Sequence, residues 1–123
     1  MTHVIKQNNI VFAFSSPLQP GNSEMGAHQE KHGDGVKDVA FAVEDAEAAY
    51  NAAVANGAKS VRPVEKVECD KDGTIVLASV QTYGDTIHTF VQRSAYKGAF
   101  LPGFIDISDR VDPLSYDADL LYV

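Results

Sequence analysis

Tryptophan is absent from this 123-residue sequence, and cysteine occurs once, at Cys69. A single thiol excludes an internal disulfide and any cysteine-built zinc site, so a reducing compartment is expected, the cytosol by default. Basic side chains are also scarce. Ten of them against seventeen acidic ones give a formal charge of −7, which repels phosphate backbones and anionic membrane surfaces, so neither nucleic acid nor a membrane is an expected partner. No window approaches the run of about 18 apolar residues that a membrane helix needs. Met1-Thr2-His3-Val4 opens with neither the basic segment nor the apolar core of a secretory signal. What remains, 45% hydrophobic and 22% charged residues, suits one soluble domain with one core.

The order signals are local and uneven. His3 to Gln7 and Ile10 to Ser15 are short runs rich in β-branched and aromatic residues. They are parted by Asn8-Asn9, a pair that tolerates left-handed turn geometry, which predicts a hairpin. Ser16 to Ser23 carries Pro17, Pro20, Gly21 and Asn22 and reads as a loop. Ser23 is placed to cap a short helix from Glu24 to His32, with Gly33 at the left-handed stop.

A better-ordered stretch begins at Val36. Val39, Phe41 and Val43 alternate with Asp38, Ala40 and Ala42, giving a strand with one bulky and one small face. Asp45 caps a helix reaching Asn56, whose Ala46, Ala49, Tyr50, Ala53 and Val54 share a stripe, and Gly57 ends it. Val61 to Cys69 is extended although Pro63 interrupts it. Asp70-Lys71-Asp72-Gly73 turns into Thr74 to Thr82, and Tyr83-Gly84-Asp85 turns again into Thr86 to Arg93. The predicted order is β, α, β, β, β. After Ser94 the periodicity stops at Gly98, Pro102, Gly103 and Pro113, which reads as a linker or tail. Phe100, Phe104, Tyr116 and Tyr122 make it more apolar than a free linker requires, so part of it is expected to pack.

Three stretches, "HVIKQNNIVFAFSS", "EMGAHQEKHGDGVKDVAFAVED" and "VQTYGDTIHTFVQRSAYKGAFLPGF", closely resemble the amino-terminal half of the 4-hydroxyphenylpyruvate dioxygenases, and the likeness runs from Thr2 to about Pro113. That family falls in the vicinal oxygen chelate superfamily, whose unit is a βαβββ module and whose domains join two such modules. The resemblance implies an α+β fold in three parts. Residues 1–35 would be the remnant of a first module, 36–93 a complete module, and 94–123 a linker toward a catalytic domain outside this chain. On this plan the first module is truncated, with its opening strand and helix unmatched.

The resemblance further implies Fe(II) in the parent enzyme, held by two histidines and a glutamate of that other domain, with no catalytic, cofactor or metal residue in this chain. The two domains look like old duplicates. Asp38 in "GVKDVA" falls where the catalytic domain has a ligand histidine, Thr89 (His88 if the alignment slips by one) where it has the glutamate, and Gln81 where it has a substrate-touching glutamine. A single carboxylate cannot hold iron tightly.

Read on their own chemistry, the other candidates are bland. His28 and His32 in "HQEKH" share a helix face with Glu24, but the glutamate sits one place too late for a zincin motif, and a solvated face is expected. His88 reads as a hydrogen-bonded structural histidine, and terminal His3 carries no signal. Cys69 has no flanking base to activate it. Asp34 between Gly33 and Gly35 marks a turn, since an acidic side chain would repel phosphate. Ser15, Ser16, Ser79 and Thr82 have no local partners for a nucleophilic triad.

The expected function is that of a noncatalytic amino-terminal segment that supports its catalytic domain and helps build a homo-oligomer. A segment of hydroxymandelate synthase, or a standalone vicinal oxygen chelate protein that binds a small ligand, remain the alternatives.

Overall fold

A computed structural model describes residues 1–18 and 23–107, and it divides into two compact units. The first comprises Met1–Gly33 together with the described residues 105–107. In it β1 (Thr2–Gln7) and β2 (Ile10–Ser15) pair antiparallel, with Ile5 opposite Phe12 and Gln7 opposite Ile10. Asn8 takes the left-handed turn position at φ 52°, as an asparagine can. Ile10 is buried, whereas Ile5, Val11, Phe12 and Phe14 stay exposed, the two phenylalanine rings 6.2 Å apart. Helix α1 (Ser23–His32) ends at Gly33, whose φ of 67° and amide bond to the Gln29 carbonyl make the expected stop. The Ser23 side chain, the expected cap, lies outside what the structure describes.

The second unit spans Asp34–Phe104. Its elements are β3 (Asp38–Ala42), α2 (Ala46–Ala55), β4 (Ser60–Cys69), β5 (Gly73–Gln81) and β6 (Ile87–Gln92), in the predicted order. The strands lie as β3-β6-β5-β4, with β3 and β6 parallel and the other pairs antiparallel. Asp45 caps α2 in extended conformation, its Oδ1 accepting from the Ala48 amide at 2.9 Å. The Ala46 amide donates to Gln92 Oε1 at 3.1 Å, which places α2 on the sheet face that carries Gln92, Phe90 and, on β5, Val76, Ala78 and Val80. Ala46 and Ala78 are fully buried there. Val54 is exposed rather than on the packed stripe, because at 3.6 residues per turn it stands about 80° round the helix from Ala46.

Pro63 explains an irregular pairing. It has no amide to donate, and the β4–β5 register shifts on either side of Arg62, which an edge strand tolerates. Central β5 is covered on both faces, hence its near-continuous apolar run. On the face away from α2, Ile75 and Leu77 form the core with Tyr96, flanked by Val67, Cys69, Val91 and Leu101. Each such side chain contributes roughly 2 kcal/mol through burial.

The compact unit therefore continues past Arg93, where the module was expected to end, through Phe104. Residues 94–104 are not a free linker, because Tyr96 bridges to Gly73 and buries its ring on the core. The rest of the expected linker, beyond 107, lies outside the described residues.

Candidate functional site

On the face away from α2, three side chains from three neighbouring strands meet. Thr89 of β6 donates its hydroxyl proton to Asp38 Oδ2 at 2.6 Å, and its oxygen lies 2.8 Å from Ser79 Oγ of β5. A threonine hydroxyl has one proton, already committed to Asp38, so Ser79 must be the donor in the second bond. The result is a directed chain, Ser79 to Thr89 to Asp38, ending on a carboxylate acceptor. Ser79 and Thr89 are buried, and Asp38 opens to solvent at the start of β3.

Period-two geometry fixes why these three meet. In the β5–β6 ladder Ser79 stands opposite Thr89, and in the parallel β3–β6 ladder Asp38 lies two places before Ala40, the partner of Thr89. The same geometry puts the neighbouring His88 on the opposite face. There its Nδ1 lies 3.1 Å from the Val39 carbonyl, and so carries the proton, while its ring meets the edge of Phe41 at 5.0 Å. It is a hydrogen-bonded histidine of the sheet, as expected.

The remaining candidates stay apart from this chain of hydroxyls. Gln81 shares the face, two residues along, but its amide donates to the Gly84 carbonyl at 2.5 Å and is spent on its own turn. Thr82 Oγ1 likewise donates to the Thr86 carbonyl, and Ser15 meets Thr2 across the β1–β2 hairpin at 2.8 Å. His28 and His32 do share a face of α1, ring centres 4.7 Å apart. Asp34 follows Gly33 in an exposed bend. Cys69 Sγ lies 3.6 Å from Asp72 Oδ2 as a donor toward a carboxylate, not beside a cation or a base that would activate it.

Chemically the Ser79–Thr89–Asp38 arrangement cannot run acyl transfer, although it has the order hydroxyl, relay, carboxylate. The middle group must accept a proton from the nucleophile, and a threonine hydroxyl has no basic site to do so. As a donor set it presents one carboxylate and two hydroxyls that already satisfy one another.

Ionisation is displaced at Tyr96 and at Glu68. Burial, reinforced by the Asp72 carboxylate and Cys69 and opposed by Arg93, raises the Tyr96 phenol above the ordinary tyrosine value. A hydrogen bond from Lys66, helped by its charge, lowers exposed Glu68. Tyr96, Arg93 and Leu101 escaped sequence reasoning as organising residues. The only signal was the apolar excess of a segment otherwise read as linker.

No family model matches the chain. Among curated proteins it is 51% identical over 115 residues to 4-hydroxyphenylpyruvate dioxygenase of Dictyostelium discoideum, covering 93% of this chain and 31% of that protein. The same enzyme from Tetrahymena thermophila is 48% identical over 128 residues, covering 99% and 31%, and that of Xenopus tropicalis 50% identical over 115 residues, covering 93% and 29%. Among solved structures, a triple mutant of 4-hydroxymandelate synthase from Streptomyces coelicolor superposes with a TM-score of 0.65 at 25% identity, covering 82% of this chain and 30% of that one. The chain thus spans about three tenths of the length of the relatives it matches. Its fold is α+β, of the vicinal oxygen chelate type, and over most of its length the chain is similar in sequence to part of the 4-hydroxyphenylpyruvate dioxygenases.

Proposed function

We propose that this chain is a noncatalytic, amino-terminal segment of a 4-hydroxyphenylpyruvate dioxygenase, the Fe(II)-dependent, cytoplasmic enzyme of tyrosine breakdown that forms homogentisate. Its role is to support the catalytic domain of the same protein and to contribute to a homo-oligomer. The observation that carries the reading is the Thr89–Asp38 hydrogen bond of 2.6 Å. The internal likeness equates Asp38, and Thr89 or its neighbour His88, with iron ligands, and here Asp38 and Thr89 bind each other.

The residues of this sheet face do not fit a ferrous ion. Iron of this kind is held by two imidazoles and a carboxylate, and this face offers one carboxylate and two hydroxyls engaged in a directed chain. The histidine nearest in sequence, His88, faces the other side of the sheet. The relatives at about half identity favour the dioxygenase over 4-hydroxymandelate synthase as the parent.

The test is oxygen uptake by the purified 123-residue chain with Fe(II) and 4-hydroxyphenylpyruvate. Uptake equal to that of free Fe(II) with substrate is the expected result, and protein-dependent turnover to homogentisate overturns the proposal.

A further inference from the structure

Residues 93–104 leave the sheet at the end of β6 and return across the face away from α2. Two backbone bonds hold them down, Thr74 amide to Ala95 carbonyl and Lys97 amide to Asp72 carbonyl at 2.7 Å, while Tyr96 amide to Arg93 carbonyl and Phe104 amide to Leu101 carbonyl turn the segment on itself. The Arg93 guanidinium sits 5.5 Å from the Tyr96 ring centre and donates to the Gly98 and Ala99 carbonyls. Tyr96 and Leu101 lie against Ile75 and Leu77, the residues that precede Ser79 on the same face of β5.

The sequence is fitted to this placement. A Cβ at Gly73 would strike the Ala95 carbonyl, and one at Gly98 would strike the Tyr96 ring. Gly98 is thus required by an aromatic side chain only 6% exposed, and Gly73 by the backbone just before it. A ring buried against apolar side chains, with a guanidinium over it and a glycine beside it, is the arrangement a binding site makes for an aromatic ligand.

We propose that residues 93–104 act as a tethered ligand: the Tyr96 ring occupies a site for a small neutral phenol on this sheet face, and without that ring the site accepts a free one. The inference rests on packing within the second unit and stands whether or not the family reading holds.

The experiment uses the full chain carrying Tyr96→Ala, with p-cresol, the tyrosine side chain as a free molecule, as the probe. Expected is a p-cresol-dependent rise in Tm of about 5 °C at ten times its Kd, with contacts from probe protons to the Ile75 and Leu77 methyls by NMR. The unsubstituted chain and Val39→Ala, a truncation at an exposed position, should show neither. A folded Tyr96→Ala that p-cresol leaves unchanged, or an equal rise in the unsubstituted chain, overturns the proposal. Should Tyr96→Ala fail to fold, recovery of a cooperative transition on adding p-cresol supports it. If there is no recovery, Leu101→Ala with benzene decides: a Tm rise absent from the unsubstituted chain supports the site, and no rise overturns it.

Discussion

Ser79 and Thr89 stand directly opposite each other on β5 and β6, their hydroxyl oxygens 2.8 Å apart and both side chains buried. A pair of small hydroxyls in the middle of an apolar sheet costs desolvation unless each finds a partner. The Asp38 carboxylate supplies the terminal acceptor, so the sheet keeps three polar groups without an unsatisfied proton. The consequence is mechanical as well as electrostatic, because the chain links β3, β6 and β5 in one line.

Thr89→Val should therefore be more harmful than removal of the whole pair. It leaves the Ser79 hydroxyl buried without its acceptor and should cost about 1–3 kcal/mol in denaturant unfolding. Ser79→Ala combined with Thr89→Val removes the orphan and should recover part of that loss. Equal or additive losses would show that the two hydroxyls act independently.

The Tyr96 phenol gives a pH signature. Burial, then the Asp72 carboxylate and Cys69, raise its folded pKa, with Arg93 opposing. The unfolded phenol titrates near about pH 10. Because the folded value is the higher, the unfolded chain loses its proton first. This group's stabilising contribution is then fully present below about pH 10 and lost as pH rises through the folded value. Tyr96→Phe has no proton to lose, so its alkaline decline in Tm should be shallower than that of the unsubstituted chain. Parallel declines would remove Tyr96 as the cause.

What the sequence made legible follows the range of the interactions. Asp45 as a cap, Asn8 at a left-handed turn and the alternation of Val39 and Phe41 with Asp38 and Ala40 are decided by neighbours within a few residues, and each stands where expected. The internal likeness placed Asp38 and Thr89 but not Ser79, whose membership depends on the β5–β6 register. Tyr96 was invisible as an anchor because its partners Ile75 and Leu77 lie some twenty residues away on another element, so nothing local shows what the tail packs on. No periodicity marks a segment that packs by two side chains, Tyr96 and Leu101.

Gly73 and Gly57 separate backbone strain from packing, since both sit at φ 95° but only Gly73 has a neighbour where a Cβ would be. Gly57→Ala should cost about 1–2 kcal/mol, the penalty of a left-handed alanine. Gly73→Ala adds collision with the Ala95 carbonyl, which a backbone atom can relieve only by moving. It should cost more than Gly57→Ala in urea unfolding and expose the Thr74 and Lys97 amides to hydrogen exchange, since both donate into this contact. If the two substitutions proved equally costly and left those amides equally protected, residues 93–104 would not be anchored at Gly73.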